Sequence, residues 1–162
     1  MEETAFKLFY ETHATSLWAY VYRLTKDAAL SDDIVQESFV RFLGRELASL
    51  TESQKKSYVY QTATNIFKDH LRKQKKNISW DDVNETAASV ESPTSTLDFE
   101  KAFDRLSAQH RSLLWMAYAE HYSHEEIAAI LNLKTQSVKV LLFRAKKRMS
   151  EILKELGITG AV

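Results

Sequence analysis

Three stretches carry side chains whose types and spacing invite a chemical reading. "HEEIA", from His124 to Ala128, opens like a helical zinc site, but a zinc hydrolase needs a second histidine four residues on, and Ala128 stands there. With no cysteine in the chain, neither a thiolate metal site nor a disulfide framework is available. No glycine-rich phosphate loop exists, and Ser, His and Asp occur as scattered singles, so no cofactor and no catalysis by the chain are expected. The other two stretches suit a polyanion. "SYVYQTATNIFKDHLRKQKK" sets an aromatic ring beside amides, a hydroxyl and a rising density of Lys and Arg, a mixture that stacks on unpaired bases and follows their backbone. "KTQSVKVLLFRAKKRM" opens like a helix that reads duplex DNA and ends in a basic cluster.

These residues need helices to position them, and the pattern supplies helices throughout. The composition, 44% hydrophobic and 27% charged with three glycines and one proline in 162 residues, is that of a soluble, mostly helical protein. An apolar stripe with 3- and 4-residue steps runs through Phe6, Phe9, Tyr10, Leu17, Tyr20, Val21 and Leu24; a second, Ile34 to Phe42, is expected to begin after Ser31 with acids in its first turn. A third helix is expected over 57–76. Residues 77–96 lack periodicity, are acidic and rich in Ser and Thr, and hold the only proline, which marks a linker. The expected fold is all-α: two small helical domains, 1–76 and 97–162, joined by a flexible linker. Neither a secretory leader nor an apolar run of ~18 residues is visible, so the expected location is the cytoplasm without membrane insertion.

In the second domain Ser123 and Glu126 form a capping box, Ala128 is small where a second helix must cross, and a tight turn at Asn132 leads to a new start near Thr135. That sequence of features predicts a helix-turn-helix. Advancing about 100° per residue from Val138 places Leu142, Ala145, Met149 and Ile152 close to it and Leu141 at about 60°, the five residues of a core stripe. Lys139, Arg144, Lys146 and Lys147 fall on the opposite side, together with Val140 and Phe143. Two placements are open for that apolar pair. Either it is a patch within the DNA-reading face, covered in the free chain by the first domain or a partner helix, or the helix is rotated and both residues belong to the core. The same wheel places Val59, Ala63, Ile66, Phe67, His70 and Leu71 on the buried side of the third helix, with Tyr58, Gln61, Thr62, Asn65, Asp69, Arg72 and Lys73 opposite.

Net charge is zero but blocked: −4 over 1–54, +6 over 55–76, −7 over 77–126 and +5 over 127–162. Two basic segments thus alternate with two acidic ones.

"SDDIVQESFVRFL", "SYVYQTATNIFKDHLRKQKK" and "SHEEIAAILNLKTQSVKVLLFRAKKRM", in that order and spacing, resemble the small bacterial RNA-polymerase sigma factors of the extracytoplasmic-function (ECF) type. The resemblance implies that the chain directs core RNA polymerase to promoter DNA, with an anti-sigma protein as a further partner. Asp33, Gln36 and Glu37 would contact basic clamp helices of the largest polymerase subunit. Tyr58, Gln61, Asn65, Asp69, Arg72 and Lys73 would meet the melted minus-ten strand. Lys134, Thr135, Gln136, Ser137, Lys139, Val140, Phe143, Arg144 and Lys147 would face the duplex minus-thirty-five element. The chain departs from the family where Gln61 and Thr64 replace arginine, where His121 and Asn132 replace glycine, and where Val140, Leu141 and Phe143 replace polar or basic residues. Two alternatives stay open: a sigma-like DNA-binding regulator, and a protein-interaction module without promoter-directing activity.

Overall fold

The computed structural model describes residues 3–45, 49–74, 80 and 98–157. All regular structure among them is helical. The first three helices, α1 (Glu3–Thr25), α2 (Ala28–Leu43) and α3 (Glu52–Lys73), pack on one another around Leu17, Val21, Ile34, Phe39, Phe42, Val59 and Phe67. The rings of Phe9 and Phe42 stack at 4.5 Å, and Phe39 meets Phe9 edge-on at 6.1 Å. Large, flat side chains at helical spacing fill this small core.

Two helix starts differ from the expectation, for one reason. α2 begins at Ala28, one turn before Ser31, because Asp27 caps it by accepting from the Leu30 amide at 3.0 Å. Asp32 and Asp33 therefore sit in its second turn. α3 begins at Glu52, ahead of the expected residue 57, because Thr51 and Gln54 form a capping box. In both cases the side-chain cap, rather than the first apolar residue, fixes the start.

The second half comprises α4 (Asp98–Asp104), α5 (Ala108–Leu114), α6 (His124–Leu131) and α7 (Thr135–Glu155). α5 continues into a single π turn, Trp115–Ala119, closed by the Glu120 amide on the Trp115 carbonyl at 3.1 Å. The expected linker lies outside the described residues apart from Trp80. Its ring meets Phe67 at 6.2 Å, and its carbonyl accepts from the Gln109 amide at 3.1 Å.

The two halves also pack together, α3 against α6 and α1 against α5, which the sequence did not predict. Several of the groups buried there are polar. The Tyr20 hydroxyl lies 2.8 Å from Thr64 Oγ1 and 2.7 Å from Ser112 Oγ, and the Tyr60 hydroxyl donates to the Glu120 carboxylate. Arg111, on α5, donates to the carbonyls of Arg23 (2.6 Å) and Leu24 (3.0 Å) at the end of α1, and to that of Leu106. The last carbonyls of a helix have no intrahelical partner, so a guanidinium fork fits them. Burial pulls the Arg111 pKa down to about 10, and it pushes the Tyr20 phenol up to about 12.

Candidate nucleic-acid interface

α6 and α7 form the expected helix-turn-helix. Ser123 accepts from the Glu126 amide at 3.1 Å while Glu126 accepts from the Ser123 amide at 2.9 Å, which completes the capping box. Ala128 is buried at the crossing. The turn passes through Asn132 in the left-handed conformation (φ 55°, ψ 52°), and Lys134 precedes the start of α7 in extended backbone, without a side-chain cap. His121 is also left-handed, with φ 58°. Both positions are those where the resembled family carries glycine, and both require the conformation that glycine adopts freely.

α7 buries Val138, Leu142, Ala145, Met149, Ile152 and Leu153; of the expected stripe Leu141 is only half-buried at the edge of the core, and Leu153 is added. Lys134, Thr135, Gln136, Lys139, Arg144 and Lys147 are exposed, and Ser137 is half-buried. Val140 is 49% exposed and Phe143 68%. Those two values decide between the two placements: the pair lies outside the core, and the first three helices do not cover it.

On α3 the exposed or half-buried side carries Tyr58, Gln61, Asn65, Asp69, Arg72 and Lys73, so the expected set shares a face. Asn65, Arg72 and Lys73 are exposed. Asp69 and Arg72 form an ion pair one turn apart, and the Tyr58 hydroxyl accepts from Arg45 Nε at 3.2 Å. Gln61 departs from a free surface, because its amide donates to the Ala129 carbonyl of α6 at 3.3 Å. His70, expected in the core, is half-buried, with its ring nitrogen 2.7 Å from the Gln74 amide. Asp33, Gln36 and Glu37 line an exposed strip of α2, and Glu37 pairs with Arg41 at 2.9 Å.

The residues that sequence reading passed over are those of the joint between the halves: Tyr20, Tyr60, Thr64, Arg111, Ser112 and Glu120. The sequence cues were Thr64 and Gln61, short or uncharged where the resembled family has arginine.

Among the described residues no group of three His, Asp or Glu side chains could hold a metal ion, and no helix is long and apolar enough to cross a membrane.

An all-helical chain with a polar-aromatic face on one helix and a helix-turn-helix further along defines a two-domain DNA-binding protein. The comparisons make the class specific. Residues 9–77 match the Sigma-70 region 2 family and residues 96–149 match Sigma-70, region 4. The ECF RNA polymerase sigma factor SigL of Mycobacterium tuberculosis (strain ATCC 25618 / H37Rv) is 30% identical, over 98% of this chain and 94% of its own length. SigM of Bacillus subtilis (strain 168) is 26% identical, over 88% and 91%. The sigma factor RpoE of Bartonella quintana, solved in complex with the anti-sigma factor NepR, superposes with a TM-score of 0.68, covering 93% of this chain and 97% of that one at 23% identity. The chain belongs to the ECF RNA polymerase sigma factors and directs RNA polymerase to promoters for the initiation of transcription.

Proposed function

We propose that promoter-directed initiation is divided among three faces of this chain, with domains at 1–76 and 97–162 and a linker at 77–96. Asp33, Gln36 and Glu37 dock on basic helices of core polymerase. Tyr58, Gln61, Asn65, Asp69, Arg72 and Lys73 receive the melted downstream strand, whose bases stack on aromatic rings while cations follow its phosphates. The helix-turn-helix lays α7 against the duplex upstream element. There Lys139, Arg144 and Lys147 serve phosphates or guanine edges, and Val140 and Phe143 meet thymine methyl groups. The observation that carries this reading is the α7 surface, where basic side chains surround an apolar pair that the rest of the protein leaves open.

The chain itself catalyses nothing and works in the cytoplasm, where its polymerase and promoters are. An anti-sigma protein is a further partner. A cleft of about 510 Å³ supports that reading, with Phe99, Trp115, Tyr118 and Met149 of the second half facing Arg23 of α1, because an inhibitory helix seated there would touch both halves.

Run-off transcription with purified core polymerase, on promoters mapped after overexpression of the chain, is the test. Start sites that depend on the added chain are expected. Polymerase binding without promoter-dependent transcripts would favour the interaction module, and tight, salt-insensitive duplex binding by the free chain would favour the independent regulator.

A further inference from the structure

We infer that the cleft between Arg23 of α1 and the second half binds a small monocarboxylate with an apolar body, its anionic head held by Arg23 and Lys146. This is a site apart from the three promoter-directing faces. The cleft, about 510 Å³, has the size of a small-molecule site. Phe99 and Phe103 of α4, Trp115 and Tyr118 of the π turn, Leu114 and Met149 furnish apolar walls. Single π turns are frequent at functional sites, and this one supplies two of the rings. Phe103 stacks with Phe99 at 6.2 Å and meets Trp115 edge-on at 6.3 Å, so one wall is tied to the next. Phe99 and Tyr118 are nevertheless more than half exposed. Large rings left open around a cleft mark a binding surface rather than a core.

The charges define what the occupant must carry. Arg23 and Lys146 line the cleft against a single carboxylate, Glu100. Each cation lies over an aromatic wall: the Arg23 guanidinium is 4.9 Å from the centre of the Trp115 ring, and the Lys146 ammonium 5.4 Å from that of Tyr118. Glu100 comes no closer to Arg23 than 4.0 Å, although the Arg23 side chain is only 25% exposed. Among the described residues the guanidinium donates no hydrogen bond, and Lys146 has no carboxylate partner. A planar fork of N–H donors without acceptors matches the paired oxygens of a carboxylate. A neutral apolar occupant would bury both cations unpaired, at a cost. A monoanion balances the surplus positive charge, whereas a dianionic phosphate would overshoot it beside Glu100. Such a ligand and the inhibitory helix placed in the cleft above would exclude each other, which gives the chain a direct response to a small molecule.

Calorimetric titration of the full chain tests this with two probes, decanoate below its micellar concentration and naphthylacetate, each set against the corresponding alcohol. At least one carboxylate should bind at a single saturable site, and which of them binds shows whether the apolar body is a chain or a ring. Its alcohol should bind at least about tenfold more weakly, because the charged hydrogen bonds are lost. Arg23→Met and Lys146→Met keep an apolar stem and remove the charge. Each should weaken the carboxylate about tenfold and leave the alcohol unchanged. Lys146 is exposed, so its variant decides should Arg23→Met fail to fold. Phe99→Ala, which removes part of a wall, should weaken acid and alcohol alike. Many ligands bound per chain, an alcohol as tight as its acid, or unchanged affinity in the folded charge variants overturns the inference. So does the absence of binding by both carboxylates, which leaves the cleft to a helix. The titration involves no polymerase, promoter or anti-sigma protein, so its failure is distinct from a failure of the run-off assay.

Discussion

Replacing Phe143 with serine separates the two roles an apolar residue on a recognition helix can have. A fully buried phenylalanine contributes about 1.5–3 kcal/mol; with Phe143 68% exposed, the buried remainder contributes roughly a third of that, about 0.5–1 kcal/mol. Leu142, its neighbour, is 6% exposed and belongs to the core, so Leu142→Ala should cost about 2–5 kcal/mol. For a chain of this size each kcal/mol moves the melting temperature by about 2–4 °C. Phe143→Ser should therefore melt within about 4 °C of the unaltered protein, while Leu142→Ala falls by about 4–20 °C. Scanning calorimetry measures both on the same preparation. With stability nearly preserved, Phe143→Ser should weaken or redirect reading of the upstream element in a promoter-binding assay with polymerase, since the apolar surface offered to thymine methyls is gone. A loss of stability as large as that of Leu142→Ala would refute the reasoning, because it would require Phe143 to be packed in the core.

Asp33→Lys with Glu37→Lys should abolish core-polymerase binding in a pull-down while costing no more than about 1 kcal/mol, as both residues are exposed and only the Glu37–Arg41 surface pair is lost; retained affinity would remove the α2 strip from the polymerase interface. Asn132→Val should destabilise by about 1–2 kcal/mol and Asn132→Gly by well under that, because only the left-handed backbone is at issue; equal melting of the two variants would contradict it. Alkali should weaken the closed fold. The Tyr20 phenol is raised from 10.0 to about 12, so its stabilising contribution is complete below pH 10.0 and is lost as pH climbs to about 12. Tyr60 and Tyr122, also raised by burial, act in the same direction, while Arg111, lowered from 12.5 to about 10, acts against them. Thermal melts at about pH 9 and about pH 11 should show a fall, and no fall would mean that the phenols are not held as described.

Much of the DNA-reading architecture was legible because it depends on local rules. The α7 stripe follows from the helical repeat alone, the Ser123–Glu126 box announces a helix start, and Asn132 sits where a left-handed residue is needed. The starts of α2 and α3 were misplaced because apolar periodicity lags behind the cap: Thr51 and Gln54 carry the same capping-box signature as Ser123 and Glu126 but precede the apolar stripe, and Asp27 stands ahead of Ser31, which offers a competing start. The joint was illegible for a different reason. A helical wheel identifies a buried face by its apolar residues, but the joint buries Thr64, Arg111 and Ser112, polar residues that such a wheel does not mark as core. Only tertiary contact shows that Arg111 finishes a helix 88 residues earlier in the chain.

The π turn at Trp115–Ala119 bears on how the Tyr60–Glu120 latch between the halves is formed. Such a turn accommodates one residue more than a regular helix would, and each residue in an α-helix advances the side-chain direction by about 100°. The turn thus takes up the surplus residue, so that Glu120 keeps the direction it would have one residue sooner in a regular helix. Rewinding the same residues as a regular helix, with none removed, would swing Glu120 by about 100° away from the Tyr60 hydroxyl. The latch therefore depends on how one turn is wound, and residues 115–119 are where it is set.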